Sequence, residues 1–133
     1  NKYISIVKAA KDQILKNVGV AYIDLNGLKA INDNYGHSKG DKFICTAADT
    51  FKMVFPDNSY RIGGDEFVII EQNIERDKYE ERITALKNIM QDKQVSISIG
   101  VLWREQVDDL EALLKAADKL MYMEKEMYHK SRE

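Results

Sequence analysis

The stretch Arg61-Ile62-Gly63-Gly64-Asp65-Glu66-Phe67, running straight into Val68-Ile69-Ile70, limits what this chain can fold into more than any other. Apolar β-formers lead into a Gly-Gly pair and lead out of it. That is the pattern of a tight two-residue hairpin, in which both central residues take positive φ without a Cβ penalty. The strand leaving the turn begins with two carboxylates, Asp65 and Glu66, and is otherwise apolar. Acids disfavour strands and are costly to desolvate unless paired, hydrogen-bonded or bound to a cation. Two readings follow. One is a solvated hairpin corner with incidental charges; the other is a site where bare backbone approaches a phosphate and a carboxylate holds Mg²⁺.

The flanking segments supply a frame for that hairpin. Ile4, Val7, Ala10, Ile14 and Leu15 recur at helical spacing, predicting an amphipathic helix from about Lys2 to Lys16. Val18 to Leu25 is a nearly continuous apolar run, as in a strand buried on both faces. Asp24 interrupts it, and a buried carboxylate needs either a cation or a helix N-terminus. A short helix is expected over Gly27–Asn34, then a polar loop to Gly40. Ser38 and Asp41 have capping-box spacing and would start the next helix, which carries Ile44, Ala47, Ala48 and Phe51 and ends at Pro56. Strands over Ser59–Ile62 and Asp65–Glu71 precede a helix from about Glu75 to Asp92. Val95, Ile97, Ile99 and Val101 alternate with serines as in a strand, and a last helix runs from Leu110 to about Lys130. The order α-β-α-α-β-β-α-β-α predicts an α+β fold with a ferredoxin-like sheet around a central antiparallel hairpin, the helices surrounding it. Such a sheet brings Asp24 and Asp65 to one rim.

A length of 133 residues suits one domain with a single core. A net charge of −2 gives no electrostatic reason to bind nucleic acid or an anionic membrane surface. No apolar run approaches the roughly 20 residues that span a bilayer. Lone Cys45 has no intrachain disulfide partner, which fits a reducing cytoplasm, and its place in an apolar helical pattern predicts burial. The chain opens without Met and reads as a single domain, 1–133, excised from a longer protein whose sensor or membrane anchor lies elsewhere.

Gly63-Gly64-Asp65-Glu66-Phe67 resembles, letter for letter, the signature of the GGDEF domain, the catalytic module of bacterial diguanylate cyclases. A second block supports it: Asp24-Leu25-Asn26-Gly27-Leu28-Lys29, then Ile31-Asn32-Asp33, Tyr35-Gly36-His37 and Gly40-Asp41 resemble the family's D-x-D-x-F-K-x-x-N-D-x-x-G-H-x-x-G-D. Ser96-Ile97-Ser98-Ile99-Gly100 and Ala117-Asp118 with Tyr122 and Lys125 extend the likeness over almost the whole chain.

The resemblance implies a palm-type nucleotidyl cyclase fold and condensation of two GTP into cyclic di-GMP and pyrophosphate at a homodimer interface. It implies Mg²⁺, with Mn²⁺ as the alternative ion, held by Asp24, the Leu25 carbonyl and Asp65. Asp65 would also activate the attacking hydroxyl, and Glu66 would orient the site or pair with Lys125. Asn32 and Asp41 match the guanine contacts. A carboxylate accepts from guanine N1–H and N2 but finds no such donors on adenine. Lys29 and Lys125 would meet the triphosphate, Gly64 would leave room for it, and His37 matches a loop histidine, structural or substrate-contacting.

Departures from the pattern also carry implications. Asn26, Gly27 and Leu28 stand where a second acid and an aromatic are usual. His129 replaces an arginine four residues past the lysine, with Lys130 beside it as a substitute. Val54-Phe55-Pro56-Asp57 lacks the arginine of the R-x-x-D product site, implying no feedback inhibition there. The family's D-x-L-T-G-L-x-N-R segment, expected just before Asn1, is missing. The alternative is a degenerate domain that binds GTP or cyclic di-GMP as a regulatory receptor. A third reading is a polymerase-palm relative with another product.

Overall fold

The computed structural model describes residues 2–132. Its elements are α1 (Lys2–Ala10), β1 (Leu15–Leu25), α2 (Leu28–Tyr35), α3 (His37–Val54), β2 (Ser59–Arg61), β3 (Glu66–Glu71), α4 (Arg76–Asp92), β4 (Ile97–Val107) and α5 (Leu110–Lys130). The four strands form one sheet in the order β2-β3-β1-β4, and every pairing is antiparallel. This is the ferredoxin-like arrangement, with β1 central and the hairpin beside it.

Alternation along β1 distributes its side chains to two cores. Ala21, Ile23 and Leu25 pack with Phe51 and Phe55 of the α3 end and Tyr79, Leu86 and Met90 of α4. Val18 and Val20 pack on the other face with Leu113, Leu114 and Ala117 of α5. The two crossover helices thus cover one face, while α1 and α5 cover the other. Asp24, in step with Val18 and Val20, belongs to the α5 face. There its register neighbours are Glu66 on β3 and Ser98 on β4. Two residues past Ser98, Gly100 lets α5 lie almost on the sheet: a Cβ at that position would stand 1.9 Å from the Ala117 carbonyl oxygen. Asp109 caps α5, its carboxylate accepting from the Ala112 N–H at 3.0 Å.

Several local expectations change. The first helix stops at Ala10, and Leu15 instead extends β1, pairing with Val107; β4 accordingly runs six residues beyond Val101. Ser38 and Asp41 do not form a capping box. Gly36, at φ 87°, turns the chain so sharply that α3 already begins at His37, with no side-chain cap. Cys45 is exposed. The buried side of α3 runs through Ala47, Thr50 and Phe51, and Cys45 falls off that stripe.

Candidate functional site

The site forms where β1 ends. Asp24 is buried, its side chain 9 % exposed, and its Oδ2 meets Lys125 Nζ at 2.6 Å. Its Oδ1 is buried and has no hydrogen-bond partner among the described residues. Lys125 reaches this point because α5 lies so near β4. The expected pairing of Lys125 with Glu66 is thus replaced by one with Asp24, the more buried acid. Immediately after Asp24, the Leu25 N–H donates to the Asp65 carbonyl at 2.9 Å. That bond fastens the hairpin loop to the end of β1 and puts Asp65 next to Asp24.

The loop is built differently from the sequence expectation. Neither Gly63 nor Gly64 takes positive φ. The strands close wide, with the Ile62 N–H donating to the Glu66 carbonyl at 3.0 Å, so Gly63, Gly64 and Asp65 form a three-residue loop. Its carbonyls are all tied back. Arg61 Nε donates to Gly63 O at 3.1 Å and Arg61 Nη2 to Gly64 O at 2.7 Å, while Leu25 takes Asp65 O. Among the described residues, no protein acceptor takes the N–H of Gly63, Gly64 or Asp65. Among the described residues, no atom outside the glycine and its two chain neighbours lies within 4 Å of where a Gly64 Cβ would be. Glycine serves here through bareness rather than through handedness. Consecutive free N–H groups suit an anion, and the open space lies at Gly64, since Glu66 Oε1 stands 3.4 Å from where a Gly63 Cβ would be.

Carboxylates crowd the rim. Burial pushes the Asp24 carboxyl up; its hydrogen bond with Lys125 opposes that, and the Asp65 charge adds to it. Glu66 is raised by burial and then by Asp24, Asp118 and Asp65, with Lys125 opposing. Tyr22, one strand-step back on the same face, is pushed up to about 12 by burial and by Glu66 and Asp118. One ammonium therefore faces several acids, and a divalent cation would relieve the imbalance and give Asp24 Oδ1 a partner. Among the described residues no group of three or more His, Cys, Asp or Glu side chains is placed to hold a metal ion. The donor set fits Mg²⁺ nonetheless, because that ion takes one or two carboxylates and completes its shell with water and substrate phosphates.

The remaining predicted residues lie around α2 and α3. Asn32 is half-buried in α2, and its Oδ1 fills the space a Gly40 Cβ would occupy, at 1.8 Å. Asp41 follows Gly40 on α3, so Asn32 and Asp41 flank one helix–helix contact. Asp41, Lys29 and His37 are exposed. His129 is exposed on α5 with its ring edge-on to Tyr128. Asn26, the departure beside Asp24, is buried and satisfied. Its Nδ2 donates to Ser96 Oγ at 3.1 Å, and its Oδ1 accepts from Ser98 Oγ at 2.9 Å. An amide can both donate and accept there, which a carboxylate cannot. Sequence reasoning missed Arg61 and the reach of Asp118. Arg61 was visible as a cation two residues before the Gly-Gly pair.

The chain matches the profile of the family described as diguanylate cyclase, GGDEF domain, over residues 4–131. It is 38 % identical over 124 residues to the signaling protein YkoW of Bacillus subtilis, covering 83 % of this chain and 15 % of that protein. It is 34 % identical over 116 residues to the diguanylate cyclase DgcS of Shewanella oneidensis, covering 82 % and 39 % respectively. The chain thus spans well under half the length of these relatives. Among solved structures, the GGDEF domain of TpbB (YfiN) from Pseudomonas aeruginosa aligns with a TM-score of 0.73 at 27 % identity, over 84 % of this chain and 73 % of that one. That likeness identifies the sheet as the palm-type cyclase fold. No helix among the described residues is long and apolar enough to cross a membrane.

Proposed function

The chain belongs to the diguanylate cyclase GGDEF domain family, and from that we propose that it condenses two GTP molecules into cyclic di-GMP, in a Mg²⁺-dependent reaction at a homodimer interface. The observation that carries this reading is the juxtaposition of Asp24 and Asp65, bound through the Leu25–Asp65 hydrogen bond, beside a loop of free N–H groups. In each of two steps the ribose 3′-oxygen of one GTP bonds to the α-phosphorus of the other. The α–β phosphoanhydride bond breaks and pyrophosphate leaves. Asp65 takes the hydroxyl proton, and Glu66 holds the orientation of the acids. Asp24, Asp65 and the Leu25 carbonyl would hold Mg²⁺, which when bound lowers the pKa of the hydroxyl and offsets charge on the triphosphate. The Gly63–Asp65 N–H groups, Lys29 and Lys125 bind phosphate oxygens. Asn32 and Asp41 bind the guanine edge, with His37 as a structural or substrate-contacting histidine. A sensory domain, fused or acting as a separate partner, would bring two such half-sites together.

The test is incubation of a verified dimer with GTP and Mg²⁺ and chromatography of the products. Cyclic di-GMP formation that is lost in Asp65→Ala supports the cyclase. The exposed His129, in place of an arginine, favours a second reading, a receptor for GTP or cyclic di-GMP. Tight GTP binding by the dimer without product would establish that reading instead. Supplying the four nucleotides separately separates both from a polymerase-like relative.

A further inference from the structure

Arg61 stands beside the carboxylate rim with no part in the roles above. It ends a three-residue edge strand and is exposed, a setting in which an arginine usually extends into water. Instead its guanidinium folds back onto the loop and donates to two successive carbonyls, Gly63 O at 3.1 Å and Gly64 O at 2.7 Å. These bonds are charge-assisted and use the fork geometry that a lysine lacks.

We propose that Arg61 is a positioning residue for the triphosphate, acting through the backbone of Gly63, Gly64 and Asp65. A trans peptide is planar, with its C=O and following N–H pointing in opposite directions. Holding Gly63 O therefore aims the Gly64 N–H away from the guanidinium, and holding Gly64 O aims the Asp65 N–H likewise. Without Arg61 those two peptides are free to rotate, because Gly-Gly has no side chain to restrict them. The Asp65 carbonyl is anchored separately by the Leu25 N–H at 2.9 Å. Arg61 thus governs phosphate binding, while the reacting carboxylate keeps its place without it. The inference rests on the nucleotide reading above and adds to it a clamp that sets affinity rather than chemistry.

The test compares the unaltered chain with Arg61→Ala and Arg61→Lys in three measurements. These are GTP kinetics with Mg²⁺, calorimetric titration with inorganic tripolyphosphate without metal, and hydrogen exchange at the Gly64 and Asp65 amides. In both variants KM should rise about tenfold, the order set by losing a charge-assisted hydrogen bond, with kcat within about twofold. Tripolyphosphate affinity should fall in parallel and loop exchange should quicken. Added methylguanidinium should restore affinity to Arg61→Ala and leave Arg61→Lys unchanged. Unchanged tripolyphosphate affinity, a loss confined to kcat, or no rescue would overturn the clamp. An unaltered chain, verified as a dimer, that binds tripolyphosphate without forming product would overturn the cyclase reading alone, and the affinities would still decide the clamp. Failure of the unaltered chain to bind tripolyphosphate would overturn the clamp.

Discussion

Gly100→Ala tests whether the close seating of α5 on β4 is what assembles the carboxylate rim. A Cβ at residue 100 would lie 1.9 Å from Ala117 O, 2.6 Å from Met121 N and 2.9 Å from Leu120 Cβ. The two shortest contacts are to helix backbone, so no rotamer change relieves them. Ordinary contact begins at 3.4 Å, so α5 must recede by about 1.5 Å, since packed interiors leave no slack. Lys125 is one turn beyond Met121 and moves with the helix. A shift of that size stretches the 2.6 Å Lys125–Asp24 contact to about 4 Å, past hydrogen-bonding range. Overpacking of this kind costs about 1–3 kcal/mol, a fall in Tm of roughly 5–10 °C for a domain of this size. The assay pairs thermal unfolding with GTP kinetics below the transition. The control is Leu86→Ala, which destabilises through the opposite face by about 2–5 kcal/mol without touching α5. Gly100→Ala should lose roughly tenfold or more in kcat/KM while folded, and Leu86→Ala should not. A Gly100→Ala protein with lowered Tm and normal kcat/KM would refute the link between helix seating and the site.

Four further outcomes follow from the same geometry. Mg²⁺ should raise the Tm of the nucleotide-free chain, by about 2.7 kcal/mol of stability at a hundredfold excess over Kd, and Asp24→Asn should abolish both that shift and turnover; an equal shift in the variant would remove Asp24 from the metal site. Lys125→Met takes the ammonium from a carboxylate that is 9 % exposed, so unfolding in denaturant should show a loss of about 1–3 kcal/mol, part of it restored by Mg²⁺. Asp41→Asn should narrow the preference for GTP over ITP, which lacks the N2 amine, by about tenfold in kcat/KM; an unchanged ratio would exclude Asp41 from guanine recognition. Tyr79 is fully buried and its hydroxyl has no partner among the described residues, so Tyr79→Phe should stabilise the chain by about 1 kcal/mol in equilibrium denaturation.

The sheet was legible because β1 and β3 announce themselves as continuous apolar runs, and because antiparallel pairing around a hairpin allows few arrangements. The meeting of Asp24 with Asp65 followed from topology alone. The structure departs from the sequence pattern where one local feature fits two arrangements. Leu15 fits a helical stripe as well as a strand end, and only pairing with Val107 decides between them. Ser38 and Asp41 have capping spacing, but Gly36 starts the helix first. Cys45 lies one position off the buried stripe, a displacement of about 100° on a helix that composition does not register.

The loop shows why a site can be readable in its acids and unreadable in its support. Asp24, Asp65 and Glu66 stand out because acids in strands contradict propensity, and such contradictions gather where function outweighs stability. Gly63 and Gly64 contradict nothing, since a hairpin accounts for them completely. Their actual conformation depends on three carbonyl acceptors satisfied from outside the loop, two by Arg61 and one by Leu25. Two of those bonds reach two and three residues from the end of β2 into the loop, and the third joins the loop to the end of β1, forty positions away. No periodicity or spacing encodes such a contact. What the loop offers a ligand is therefore set by a strand end and an arginine, and Gly64 contributes by leaving the space beside it empty.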